Sequence, residues 1–194
     1  MKRVAACKAD RENAPDAGRR KLADCPTQFR EINNPDTFIV VPAVSSERRK
    51  YVPIGFLDKE TIATNLVITI PDATLYHFGI LTSNVHMAWM RAVCGRLKSD
   101  YRYSKDVVYN NFPWPTPTDE QKARIEQTAQ AILDARELYP DCSLADLYDE
   151  ATMPPELRKA HQQNDKAVMQ AYGFWGKLNS ESACVAELMR MYQG

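Results

Sequence analysis

The chain has 194 residues, 44% of them hydrophobic, which is enough for a buried core and for one large domain or two small ones. No apolar run approaches the roughly 18 residues that a membrane span needs, and Val4 to Cys7 is too short for the core of a signal peptide, so a soluble, cytoplasmic protein is expected. The formal charge is zero, yet residues 1–117 carry 17 Lys and Arg against 12 Asp and Glu, and residues 118–194 carry 8 against 13, so a polyanion would meet the first part.

Residues 1–24 are rich in Lys, Arg and Ala and are interrupted by Pro15 and Gly18, which predicts a short helix followed by a polar loop. So abrupt a beginning reads either as an artificial start or as a start codon inside a once longer reading frame. Asn33-Asn34-Pro35-Asp36 is a turn signal, Phe38 to Val41 a buried strand, and Pro42 its end. Two hydroxyls, Ser45 and Ser46, then precede Arg48, Arg49 and Lys50. Arginine forks and lysine point charges both suit phosphate, although the same residues would serve an ordinary solvated turn.

Leu66, Ile68 and Ile70 share one face of a strand that starts after Asn65 and stops at Pro71. Ser83 is a good N-cap for a helix with Val85, Ala88, Trp89 and Ala92 at helical spacing and Gly95 at its end. Trp89 reads as a core anchor. Leu97 to Ser104 shows period two, which predicts a single strand with Lys98, Asp100 and Arg102 side by side on one face. Such a row can read base edges, because Lys or Arg donates to guanine and a carboxylate accepts from the cytosine amine. A charged sheet edge that discourages aggregation would look the same.

The stretch from Arg102 to Pro117 divides a β-prone, basic part from a helical, acidic one. Its aromatics and prolines predict an extended connector packed between the two, neither strand nor helix. Thr118 and Gln121 form a capping box for a long helix with Ile125, Ala129, Ile132 and Ala135 on one stripe. Ser143 caps a short helix, Pro154 and Pro155 open a third, and Ser180 starts a last one. His161 and Asn164 lie beside an apolar stripe and read as core hydrogen-bonding groups. The resulting fold class is α+β: a small mixed or antiparallel sheet domain with helices over residues 1–117, truncated at its amino terminus, then an α-helical subdomain over residues 118–194.

Chemistry-bearing patterns are scarce. The five cysteines are odd in number with no C-x-x-C pair, and none of His77, His86 and His161 has a second His or a Cys three or four residues away, so free thiols and no metal site are expected. The seven glycines form neither G-x-G-x-x-G nor a Walker A loop, and no nucleophile motif can be written.

Three stretches carry a resemblance: Val40 to Phe56 (VVPAVSSERRKYVPIGF), His77 to Pro115 (HFGILTSNVHMAWMRAVCGRLKSDYRYSKDVVYNNFPWP) and the helical tail. They resemble the carboxy-terminal part of MmeI-like enzymes, single-chain type II restriction-modification proteins and related class I S-adenosylmethionine-dependent DNA methyltransferases. The resemblance implies a target recognition domain followed by a small helical domain, with double-stranded DNA and an upstream methyltransferase domain as partners. It implies S-adenosylmethionine and adenine N6 methylation for the parent, but no cofactor and no catalytic residue in this chain. Asn34-Pro35-Asp36 lacks the second proline and the aromatic of the family's Asn-Pro-Pro-Tyr type motif. The family's base-reading positions match Ala43, Asn65, Leu66, Lys98, Asp100 and Arg102, and the phosphate set would be Ser45, Ser46, Arg48, Arg49 and Lys50. Ala43 and Leu66 offer no hydrogen-bonding side chain, so reading there would pass to neighbours such as Ser45 or Asn65, or rest on apolar contact. The alternative from another class is a non-catalytic protein-interaction module whose acidic helices bind a partner.

Overall fold

The computed structural model describes residues 1–29 and 35–194, which fall into two compact units, Met1–Asn34 and Pro35–Gly194. Asn33 and Asn34, and with them the turn expected at Asn33 to Asp36, lie outside the described residues.

In the first unit, α1 (Lys2–Glu12) is followed by α2 (Ala17–Lys21), so Gly18 lies inside a helical turn where a loop was expected. Asp16 caps α2 by accepting the Arg19 N–H at 2.7 Å. The Arg11 guanidinium then gathers the chain beyond α2, donating to the carbonyls of Leu22, Cys25 and Gln28 at 2.9, 2.6 and 2.6 Å.

The second unit opens with β1 (Thr37–Pro42), β2 (Val44–Ser45), β3 (Gly55–Asp58) and β4 (Val67–Pro71). An antiparallel sheet of order β3-β1-β4 pairs Ile39 with Phe56 on one side and with Ile70 on the other. Phe38, Ile39 and Val41 are fully buried, as a central strand covered on both faces requires. Leu66 departs from the expected face: it precedes β4 and is 71% exposed, while Ile70 is buried.

Helix α3 (Leu75–Leu81), which has no counterpart in the sequence reading, leads into α4 (Asn84–Val93), capped by Ser83 as expected. Gly95 does not cap α4. The cap is Cys94 in extended conformation, and Gly95 opens a hairpin of β5 (Gly95–Leu97) and β6 (Asp100–Arg102). The single strand expected from Leu97 to Ser104 is therefore replaced by a chain reversal at Lys98 and Ser99. Strand β2 adds to this hairpin, giving a second antiparallel sheet of order β2-β6-β5.

The connector also differs from its expectation at one end. Lys105–Tyr109 form a turn of π-helix, while Tyr103, Ser104 and the residues from Asn110 to Pro117 lack helix or strand. Phe112 is buried, and the Trp89 indole donates to the Val108 carbonyl at 3.0 Å. Helices α5 (Asp119–Glu137), α6 (Leu144–Leu147), α7 (Pro155–Ala171) and α8 (Glu181–Gln193) follow, with the caps at Thr118, Ser143 and Ser180 in place.

One apolar core runs from Ile39 through Trp89 and Ile125 to Leu188. Helix α3 meets α5 closely enough that a Cβ on Gly79 would stand 2.6 Å from Ile125 Cγ2, so any larger residue must displace the Ile125 side chain or the helix that carries it. Asn164 closes the same junction, donating to the Gly79 carbonyl at 2.7 Å and accepting from Thr128 at 3.1 Å. His86 and His161 are fully buried in this core. Burial pushes His86 down to about 3 and His161 well below the usual histidine range, so both are neutral at ordinary pH.

Candidate nucleic-acid interface

The sheet formed by β2, β6 and β5 has an inner and an open face, and its register decides which side chains share each. Ser45, Tyr101 and Arg96 lie at one level, as do Val44, Arg102 and Gly95, while Leu97 pairs with Asp100. Facing partners project from the same side of an antiparallel sheet, so Val44, Arg102, Gly95, Asp100 and Leu97 make up one face. Val44 is 40% and Leu97 51% exposed, and Arg102 is exposed too, so this face is open to solvent. Asp100 and Arg102 thus keep the shared face that the period of two predicts. Lys98 does not share it.

Lys98 sits at the first position of the two-residue hairpin loop with φ +57°. A left-handed residue there suits the twist of a hairpin, and glycine adopts it without penalty. Lysine does so at a cost of about 1–2 kcal/mol. Arg96, which the sequence reading did not single out, braces the reversal from the other face. Its guanidinium lies 4.1 Å over the Tyr101 ring, donates to the Ser99 carbonyl at 2.8 Å and reaches Glu47 at 3.9 Å. Nothing in its sequence position marks that role, since it becomes apparent only once the chain is known to turn.

Ala43 joins the two sheets. Its N–H donates to the Leu66 carbonyl at 2.9 Å, and its own carbonyl accepts from the Tyr103 N–H at 2.9 Å. This brings Ala43, Leu66 and Arg102 to one end of the hairpin. A recess of about 460 Å³ opens there, lined by Ala43, Ile68, Arg102, Lys105 and Val107 among others. Asn65 stays in the exposed turn before β4, beside Leu66.

The other end of the hairpin faces the Ser46 to Arg49 turn across a recess of about 320 Å³, in which Arg48 and Arg49 lie with Asp100. Glu47, Asp149 and Glu150 also line it, so the two arginines stand among carboxylates. The five expected phosphate donors do not form one set. Ser45 is 4% exposed, turned inward with Tyr101, and its hydroxyl has no hydrogen-bond partner among the described residues. Ser46 spends its hydroxyl on the Arg48 N–H at 3.3 Å. Lys50 leaves the recess, lying 5.4 Å over the Tyr51 ring and lining a separate cavity with Arg91 and Glu181.

Among the described residues no cluster of His, Cys, Asp and Glu is arranged to hold a metal ion, and no helix is long and apolar enough to cross a membrane.

The family model for the MmeI target recognition domain matches residues 1–116, and that for the MmeI C-terminal domain matches residues 117–194. DNA methyltransferase A of Bacillus subtilis (strain 168) is 42% identical over 194 residues, which are 100% of this chain and 22% of that protein. A solved structure of the Type IIL restriction-modification enzyme MmeI in complex with DNA matches with a TM-score of 0.90 and 46% identity, over 98% of this chain and 25% of that one. The chain therefore spans a quarter or less of the length of these relatives. It belongs to the MmeI family, and its residues correspond to that family's target recognition and C-terminal domains.

Proposed function

We propose that this chain supplies sequence recognition, without catalysis, to an adenine-specific (N6) DNA methyltransferase or a fused restriction-modification enzyme. The recognition region would span residues 1–117 and the helical subdomain residues 118–194. The observation that carries the reading is the open face of the second sheet: Asp100 and Arg102 project from it, an exposed lysine is held at its tip in a conformation that glycine favours, and Arg48 and Arg49 lie across the adjoining recess. A non-glycine residue at such an angle is a pointer to a working side chain.

In this reading the hairpin enters the major groove. Lys98 and Arg102 donate to guanine O6 and N7, Asp100 accepts from the cytosine amine, and Ala43, Leu66 and Asn65 meet the neighbouring pairs by apolar contact or by the amide. Arg48 and Arg49 hold phosphates, with Lys50 and Ser46 at the margin, and fix the register without reading sequence. Ser45 takes no direct part, because its hydroxyl is buried. The target adenine would be flipped from the stack into an upstream catalytic domain, which would also hold S-adenosylmethionine. No residue of this chain is assigned to that cofactor, its glycines forming no binding loop. A DNA-modifying parent would work in the cytoplasm.

Titration of the chain with duplex DNA at increasing salt tests the reading. The expected result is binding that weakens as salt rises, with the slope falling by about 0.9 for each phosphate contact removed, as in Arg49→Gln. Absence of binding at low salt would instead favour a protein-interaction module.

A further inference from the structure

Two tethers from the helices of the second unit end on consecutive residues of the loop that carries Arg48 and Arg49. The first ends on Tyr51, which is 1% exposed. Its hydroxyl donates to Asp165 Oδ2 at 2.6 Å, and its ring stacks on His161 with centroids 4.1 Å apart. The other oxygen of Asp165 accepts the Asn84 N–H at 2.7 Å, so one buried carboxylate in α7 joins the loop to the first turn of α4. The second tether ends one residue earlier. Arg91 donates to the Lys50 carbonyl at 3.2 Å and is itself clasped by Glu181 of α8 through two bonds of 2.7 and 2.8 Å.

A buried tyrosine and carboxylate are a poor way to gain stability, because apolar groups of similar volume do as well or better. What the pair adds is direction: it fixes where Tyr51 lies, and so where the preceding backbone begins. Beyond these tethers the loop has the 3.9 Å ion pair of Glu47 with Arg96 and few bonds of its own. Between Ser46 and Lys50 its internal bonds are the Arg49 N–H to the Ser46 carbonyl at 3.1 Å and the Arg48 N–H to the Ser46 hydroxyl at 3.3 Å. At the other end of the loop Ser45 is pinned in the second sheet. A loop fixed at both ends before it meets a ligand does not have to be ordered on binding.

We infer that Tyr51 and Asp165 are positioning residues for the Ser46 to Lys50 loop, through which the helical subdomain sets the affinity for the DNA backbone without touching it. The inference rests on the reading of Arg48 and Arg49 as phosphate contacts. Removing the tether leaves every charge of the loop in place, so affinity should fall while the salt slope stays as it was.

The test compares four chains against one duplex oligonucleotide over a range of salt: the unaltered chain, Tyr51→Phe, Arg49→Gln, and Tyr172→Phe. The last removes a hydroxyl that donates to the Pro113 carbonyl at 2.8 Å and has no bond to the loop, so it controls for a merely structural loss. Tyr51→Phe should weaken binding about 5- to 10-fold, the effect of releasing roughly one residue's worth of order, with an unchanged salt slope. Amide exchange should quicken at residues 46–50 in that variant, and Tyr172→Phe should alter neither measurement. Equal losses in the two tyrosine variants, or undiminished affinity in Tyr51→Phe beside a lowered slope in Arg49→Gln, would overturn the tether alone. A slope untouched by Arg49→Gln would overturn the phosphate reading, and the inference with it.

Discussion

The two sheets of the second unit have three strands each and are antiparallel, yet they use their side chains in opposite ways. The β3-β1-β4 sheet hides its central strand, with Phe38, Ile39 and Val41 at 0% exposure, and its registers run over four and five pairs. The β2-β6-β5 sheet has two and three pairs and leaves one face in solvent. So few pairs would not hold alone. The short sheet keeps its shape through side chains on its inner face, Tyr101 and Arg96, and through Tyr103 just beyond β6, whose hydroxyl is 2.9 Å from His86 Nε2. Stability and exposure are thereby separated: one sheet carries the core, and the other borrows its stiffness and leaves a face open to solvent.

That contrast can be broken most severely from the buried side. Ile39→Ala should cost about 2–5 kcal/mol in urea unfolding, because the cavity it leaves between two strands cannot close. Duplex binding of the molecules that remain folded should be unchanged. A loss under 1 kcal/mol would mean that the longer sheet is not the core we describe.

Acid should act next most strongly, through the histidine that supports the short sheet. His86 and His161 have lowered native values, so their contribution to stability is lost as pH falls through the unfolded histidine value of about 6.5. Asp165 works the other way: burial, partly offset by its bonds to Tyr51 and Asn84, pushes it up to about 6, so its contribution to stability is lost as pH rises from the unfolded value towards 6. Between pH 6 and 5 proton uptake by the unfolded histidines outweighs that by native Asp165, so stability falls by on the order of 1 kcal/mol over that unit. His86→Gln should flatten this dependence, measured by urea unfolding at the two pH values. An equally steep dependence in that variant would acquit His86.

On the open face the expected effects move from stability to selectivity. Exchanging Lys98 and Asp100 (Lys98→Asp with Asp100→Lys) should change unfolding free energy by no more than about 0.5 kcal/mol, as at other surface sites. It should shift preference at one base pair by about 1–3 kcal/mol in a selection from randomised duplexes. An unaltered preference would remove both residues from the reading set. The smallest effect is expected at the hairpin tip, where Lys98→Gly should relieve the left-handed strain and stabilise the chain by about 1 kcal/mol while weakening duplex binding.

Legibility followed the same division. The caps at Ser83, Thr118, Ser143 and Ser180 were readable because a cap is a local bargain between one side chain and the next few amides. Helix α3 was not, since four of its seven residues are buried and include Gly79, leaving no polar face to betray a helical period. The hairpin was hidden for a different reason. The two-residue loop shifts the alternation by one, putting Leu97 on the face of Asp100 and not of Tyr101, and Lys98-Ser99 is neither Asn-Gly nor Asp-Gly, the usual sign of a reversal. Of the proposed site, the pairing of Asp100 with Arg102 on one face was therefore legible. The split of Lys50 from Arg48 and Arg49 and the bracing by Arg96 were not, because both depend on contacts between distant segments.

The joint at Ala43 is made wholly by its backbone: one amide hydrogen given to Leu66 and one carbonyl lent to Tyr103. A residue tied in this manner can exchange its methyl group for a longer polar side chain without loosening the frame. On the proposed reading of Ala43 as a base contact, a change of side chain there would alter the target while leaving both backbone bonds in place.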